Sequence, residues 1–564
     1  MRRALLALPA ALLLAAAAAA QGDLLAAMPS ETIVYVRATG LREQWNRFFR
    51  SAAWQRIETT GFAEVAQGLR KAREGIAAFE AQMNVNLEQY AAALFGANAA
   101  LLLCDDGHYV LLIRTDDLPK LQAANDFFAG ILRQQGRLTR EGAERYEGVD
   151  INTGLLGDPR APGAPASGRH YAVDGNLFLL SGDLETLRRT ILTLKGKRPG
   201  LAESPRHARA TELFRKEAFL RIYLDGERLA VSPAFDRLRP LFGDRPLGRF
   251  LFDTARANAA ATPLAVMDAT GGDALLLRGT RLLDLQKLPS LPRDLLPPAD
   301  AATDIPCAVP EDALITLTGR LNKAALWRAF GTLAAAADPA APERIALRAR
   351  QAATALGGLD FERELLPALG DQNALLALPG GEGELPGLAL VVEMAEPQRL
   401  PAALRTLVGA GVVVAQIEAE KKKTPSPADL RRAEHGGVEM VTVELRDPAL
   451  AGILAPTFFS RGKWLVIATS PGTARRVADA LARPNPPPAA PGEWWSLRAD
   501  SAALLRLLRQ YRPALLRRST ADGKPEFVTA RELDGLQFLL GIIEEAELRV
   551  TRKPDRLELS LDLR

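Results

Sequence analysis

Two stretches of this chain, roughly 280 residues apart, run through the same series of signals in the same order. Met28-Pro29-Ser30-Glu31-Thr32-Ile33-Val34-Tyr35-Val36 returns as Val309-Pro310-Glu311-Asp312-Ala313-Leu314-Ile315-Thr316-Leu317. Trp45 then corresponds to Trp327, Tyr146-Glu147-Gly148-Val149-Asp150 to His435-Gly436-Gly437-Val438-Glu439, and Arg188-Arg189 to Arg475-Arg476. Gaps between matches fall in Pro/Gly-rich stretches, as expected of a duplicated unit with variable loops. A single hydrophobic core stops growing at about 250–300 residues, so a 564-residue chain needs at least two. The expectation is one unit used twice: a first copy over 21–285, a Pro-rich linker over 286–309, and a second copy over 310–564. Pro289, Pro292, Pro297, Pro298 and Pro306 make that linker stiff and resistant to regular structure.

Within each copy the hydrophobic period alternates. Residues 32–37 are β-branched and aromatic and read as a strand. Leu41, Trp45, Phe48 and Phe49 follow at helical spacing. Strands at 99–103 and 109–114 flank Asp105-Asp106-Gly107, a turn in which glycine supplies positive φ; strands at 373–378 and 388–393 are their counterparts. A helix follows each hairpin, then a strand pair around Asp174-Gly175. Asp183 and Ser470 fit as helix N-caps, with Pro471 as a first helical residue. Closing strand pairs lie at 263–269 with 273–281 and at 546–552 with 556–562. Hairpins interrupted by helices predict α+β architecture: two tandem similar domains, each a mainly antiparallel sheet with helices packed on one face.

Arg2-Arg3, the apolar run from Ala4 to Ala20 and the small residues Ala18 and Ala20 form a secretory signal peptide over 1–20. The alternative is a retained anchor, for which the run is short. No other stretch reaches spanning length without charges, so the expected location is extracytoplasmic, periplasmic or secreted. Of 71 Lys+Arg and 67 Asp+Glu, Arg2 and Arg3 go with the leader, leaving 69 against 67. Near-neutrality excludes a nucleic-acid partner, which needs surplus cations for the phosphates. Two cysteines do not make a disulfide framework, and Cys104 and Cys307 read as unpaired thiols.

Sequence motifs for chemistry fail on inspection. Cys104-Asp105-Asp106-Gly107-His108 offers metal ligands, but a tight turn cannot converge them on one ion, and the second copy has neither Cys nor His there. The glycines around Glu382 lack the strand-before, helix-after context of a dinucleotide loop. There is no G-x-S-x-G elbow and no H-E-x-x-H pair, and His108, His170, His207 and His435 sit in polar or turn-like stretches that favour solvated rings. No cofactor is expected. Two weaker candidates stand. Arg188, Arg189, Arg475 and Arg476 lie on equivalent helices and could contact an anion, against the simpler reading of a solvated face. Trp45, Phe49, Trp327 and Phe330 are core residues or line an apolar groove.

The leader, the opening Met28–Val36 strand and the run Tyr171-Ala172-Val173-Asp174-Gly175-Asn176-Leu177-Phe178-Leu179-Leu180-Ser181-Gly182-Asp183 resemble a group of secreted bacterial proteins that share a domain of unknown function. The resemblance implies an exported α+β protein and carries over no catalytic residue. The expected role is therefore non-enzymatic: binding, or cell-envelope association through an unidentified protein or envelope partner. A carrier of a small apolar ligand or lipid is the second reading, and a hydrolase without a linear motif the third.

Overall fold

Twenty strands join into one antiparallel sheet. The computed structural model describes residues 24–40, 98–115, 117–157, 167–271, 274–299, 301, 303–355, 360–380, 386–446, 454–483, 491–521 and 523–564. The leader segment, Trp45 and Phe49 lie outside the described residues. The first ten strands are β1 (Thr32–Ala38), β2 (Asn98–Cys104), β3 (Tyr109–Arg114), β4 (Leu138–Tyr146), β5 (Val149–Leu156), β6 (Ser167–Asp174), β7 (Leu177–Ser181), β8 (Leu220–Leu224), β9 (Ala265–Thr270) and β10 (Leu275–Leu282). The next ten are β11 (Ile315–Arg320), β12 (Leu369–Leu378), β13 (Gly387–Met394), β14 (Ala428–His435), β15 (Val438–Leu445), β16 (Thr457–Arg461), β17 (Trp464–Ala468), β18 (Glu493–Asp500), β19 (Glu545–Arg552) and β20 (Arg556–Leu563).

Pairing runs β4-β5-β6-β7-β3-β2-β1-β8-β9-β10 through the first half. From the opposite edge the second half runs β14-β15-β16-β17-β13-β12-β11-β18-β19-β20. Adding ten to each label of the first half gives the second. The halves meet edge to edge at β10 and β20, where Leu275 to Leu282 pair without a break with Leu563 to Arg556. Neither half leaves its last strand as an open edge, which removes a site of uncontrolled strand addition.

The turns and caps follow the local chemistry. Gly107, at φ 82°, closes the β2–β3 turn. Helix α1 (Leu118–Gln134) starts at the N-cap Asp117, and α2 (Leu184–Leu194) starts at Asp183, whose carboxylate accepts from Thr186 N at 2.8 Å. The 3₁₀ turn Leu24–Ala27, α2 and α3 (Pro205–Leu213) cover one face of the first half, where Leu102, Leu112, Leu179, Leu187 and Ile191 share a core. Helices α4 (Lys323–Ala337), α5 (Ala341–Ala355) and α6 (Arg399–Lys421) belong to the second half. There α7 (Pro471–Leu481), capped by Ser470, closes the equivalent core around Leu376, Val391, Val466 and Val477.

The expectation of helices on one face is corrected. Leu121 of α1 packs on Ala99, Ile113 and Phe178, and Leu400 of α6 packs on Met394 and Leu465. Ala99, Ile113 and Phe178 alternate with Ala100, Leu112 and Leu179 of the other core, so they point to the opposite side. Strands β2, β3 and β7 are apolar at nearly every position, as strands buried on both faces must be. Strands β4, β5, β14 and β15 escaped the sequence reading because β4 and β14 are mostly exposed and rich in charged residues.

The linker over 286–309 also holds more structure than its prolines imply. It contains a helix, Ser290–Leu295, and a 3₁₀ turn, Ile305–Ala308. Ile305 and Ala308 are fully buried in the second core, and the backbone N–H groups of Asp304 and Ile305 donate to Gln372 Oε1 at 2.9 and 3.1 Å. This turn stands to β11 as Leu24–Ala27 stands to β1. Its last residues belong to the second half because an apolar turn there closes the sheet's core, outweighing the local reluctance of proline.

Candidate functional site

Three of the four candidate anion-binding arginines are engaged within the chain. Arg188 forks onto Glu144 at 2.9 and 2.7 Å and also bonds Glu185. Arg189 bonds Asp106 in the β2–β3 turn and Thr186 Oγ1 at 2.9 Å. Arg476 donates to Pro379 O, in the turn after β12, and to Asp312. The second arginine of each pair thus braces its helix against a hairpin turn. Arg475 is exposed and pairs with no described residue. The two pairs stand on separate helices, α2 and α7.

The aromatic candidates divide in a similar way. Trp327 donates from Nε1 to Glu362 Oε1 at 2.7 Å and packs against Phe361 and Phe330, with ring centroids 5.0 and 5.9 Å away. Phe330 is half-exposed on α4. These rings form a small cluster at the outer side of α4 and not a closed core.

The turn at Cys104 is structural. Asp105 pairs with Arg228 at 2.7 Å, Asp106 accepts from His108 N at 2.9 Å, and burial pushes the Cys104 thiol up to about 12. Cys104 and Cys307 are both free thiols. Among the described residues no group of three or more His, Cys, Asp or Glu is placed to hold a metal ion. One histidine departs from expectation: His207 is buried on α3, with Nε2 3.1 Å from the Tyr35 hydroxyl, and Tyr35 stacks on Tyr223. Its neighbours Pro205, Arg206 and Arg209 disguised an inward-facing position in a polar run.

What the sequence reading missed is a row of directly opposed side chains along one face of the sheet. Starting in β15, the row is Val441, Phe458, Ile467, Leu390, Leu375, Leu317, Leu497, Leu548, Leu561 and Leu277, each opposite the next on the neighbouring strand. Directly opposed residues share a face. The row continues through Ala269, Leu220 and Ala38 to Ala99, Ile113 and Phe178. Its two ends differ. On β2, β3 and β7 it is buried against Leu121 of α1. On the equivalent strands β12, β13 and β17 it is open: Leu375 is 47% exposed and Leu390 40%, with Ile467 and Leu497 nearly as open and Leu388 beside them. Their sequence neighbours Leu376, Ala389 and Val466 are fully buried on the other face. Open leucines on β13, β12 and β18, joined through the partly buried Leu317 of β11, form an apolar surface, and such surfaces mark binding sites on soluble proteins.

Lys463 bridges Asp304 at 2.8 Å and Glu393 at 2.9 Å, and Glu393 also accepts from Gln372 Nε2 at 3.1 Å. Lys323, at the start of α4, donates to Gly370 O; burial pulls its pKa down to about 8 against the opposing pull of Asp371 and Glu393. A separate apolar stripe lies on α6, which is long and apolar enough by length and composition to cross a membrane. Leu407, Val413, Val414 and Ile417 are exposed along it. No family model, curated protein or solved structure matches the chain.

Proposed function

We propose that this protein is an exported, non-enzymatic binding protein that takes up an apolar ligand on the open leucine face of β11, β12, β13, β17 and β18. The observation that carries this reading is the contrast along one cross-strand row: covered by α1 in the first half, uncovered at Leu375, Leu390 and Leu497 in the second. Leaving several large aliphatic side chains in water forgoes roughly 1 kcal/mol apiece, a cost a ligand would reverse on binding. The carrier reading accounts for this surface more directly than envelope association without a ligand. A hydrolase finds less support, since Cys104 and Tyr223, both pushed up to about 12 by burial, are closed off from solvent.

The finer architectural reading belongs with this proposal. Two tandem similar domains, descended from a duplication, are supported by the identical pairing order of the halves and by the repeated 3₁₀ turn ahead of β1 and β11. Export is supported by Arg2-Arg3 and the apolar run to Ala20. The exposed stripe on α6 favours one further element, contact with an envelope partner or membrane surface, with Leu407, Ala410, Val414 and Ile417 falling on one helical face.

Native mass spectrometry of the full chain, purified from its own cells without detergent, tests the proposal. A reproducible excess mass that organic extraction removes is the expected result. A bare polypeptide mass, together with no uptake of N-phenyl-1-naphthylamine, would overturn it.

A further inference from the structure

A half-open cavity lies where the linker crosses the second half of the sheet. Its volume is about 420 Å³, inside the usual range for small-molecule sites. One wall is apolar, made by Leu285 and the linker residues 296–299; the other carries Arg293, Arg320, Asn322, Asp371 and Arg552. Three arginines and one carboxylate line it, and Arg293 also lies 3.9 Å from Asp294. The site is tightly built: Gly492, at φ 76°, brings its backbone so close that a Cβ would stand 2.5 Å from Arg552 O and 2.7 Å from Ala299 O. Arg552 N donates to Gly492 O at 2.7 Å, and Gly492 N to Ala301 O at 3.3 Å.

Arg552 is the unusual member. It is 4% exposed, and no carboxylate of the described residues forms an ion pair with it. Its terminal nitrogens donate to Pro554 O at 2.9 Å and Arg556 O at 3.3 Å, while the buried Nε has no partner. A guanidinium withdrawn from water and hydrogen-bonded only to carbonyls bears a desolvation cost that no ion pair offsets. Burial accordingly pulls its pKa below the ordinary arginine value, against a smaller opposing pull from Asp555. Beside it, Asn322 Oδ1 caps Ala325 N at 2.9 Å, and the backbone carbonyl of Arg320 accepts from Trp494 Nε1 at 3.0 Å. The location matters as well. Leu548, Val550 and Arg552 alternate along β19, so Arg552 continues the face on which Leu548 belongs to the leucine row.

We propose that this cavity binds the anionic head, a phosphate or carboxylate, of an amphiphile whose apolar body lies along the leucine face. The inference rests on the apolar-ligand reading for the body and on Arg552 for the head. The anion forms the ion pair that Arg552 lacks and accepts from its unpartnered Nε; Arg293, also lining the cavity, adds a second cation. A charge-assisted contact of this kind favours the charged ligand over its neutral isostere by about tenfold or more.

Full-length protein is titrated with cis-parinaric acid and with the matching uncharged alcohol, each with and without inorganic phosphate. The acid is expected to bind about tenfold more tightly, and phosphate to displace the acid but not the alcohol. Arg552→Gln brings the acid:alcohol ratio close to unity and leaves alcohol affinity intact. Arg293→Gln, at an exposed position that does not threaten folding, lowers the ratio about threefold. Equal affinity for acid and alcohol, with no effect of phosphate, overturns the head-group site and leaves the apolar reading standing. Phosphate binding by calorimetry, lost in Arg552→Gln, without uptake of either fluorescent probe, retains the anion site and overturns the amphiphile. Absence of all three overturns both.

Discussion

Adjacent residues on β12 are expected to respond in opposite ways. Leu375 and Leu390, directly opposed across β12 and β13, are 47% and 40% exposed, whereas Leu376 is fully buried. Complete burial of a leucine side chain is worth about 2 kcal/mol, so a ligand covering the open part of these two recovers about 1 kcal/mol from each. The double substitution Leu375→Gln/Leu390→Gln is therefore expected to weaken binding of a neutral apolar probe by about 2 kcal/mol, roughly 30-fold. Its cost to folding is about as small, because only the covered part of each side chain contributes. Leu376→Ala empties a site in the closed core and costs about 2–5 kcal/mol of stability, without touching the probe surface. Titration with N-phenyl-1-naphthylamine and urea unfolding of the same preparations separate the two effects. The reasoning is refuted if the double variant keeps probe affinity within about twofold, or if Leu376→Ala weakens the probe equally while still folded.

Other outcomes follow from the same structure. Asp268, buried on β9, accepts from Arg215 Nε at 2.7 Å and from Arg215 N at 2.9 Å, so Asp268→Ala strands a buried guanidinium and should cost about 3–5 kcal/mol in urea unfolding. Lys323 has its pKa lowered from 10.5 to about 8, so the unfolded chain binds the extra proton between those values. Stability relative to Lys323→Met should therefore rise as pH climbs from about 8 to 10.5, and a flat difference in melting temperature would contradict the burial argument. Asp183→Ala and Ser470→Ala each remove an N-cap at equivalent helices and should each cost about 1 kcal/mol, measurable by thermal unfolding.

Much of the fold was written locally. The β2–β3 hairpin, the turn at Asp174-Gly175, the caps Asp117, Asp183 and Ser470 and the closing strand pairs all lie where turn and capping chemistry put them. These signals depend on a few neighbouring residues and so survive translation into structure. The missed strands β4 and β14 are polar edge elements held by ladder hydrogen bonds, which leave little hydrophobic period. His207 was misread for a related reason, since one inward position on a short polar helix carries no periodic signal.

The candidate site was less legible. Arg188, Arg189 and Arg476 are cations in a list of residues, and only folding brings Glu144, Asp106 and Asp312 to neutralise them. Arg552 shows the reverse: nothing in Val550-Thr551-Arg552-Lys553 distinguishes an arginine that ends buried without an ion pair among the described residues. Trp327 and Phe330 were marked by their helical spacing, but the leucines of the open row were not, because a strand's apolar residues read alike whether covered or bare.

By itself the sequence determined several of the hairpins and the capped helices beside them, since these rest on period, caps and turns within a few residues. The tertiary structure decided that the halves share one sheet through β10 and β20, and that helices cover both faces. It also decided that one cross-strand row is closed by Leu121 at one end and left open at Leu375 and Leu390 at the other. Burial is a property of what another segment covers, and a segment far away in sequence leaves no trace in the residues it covers or fails to cover.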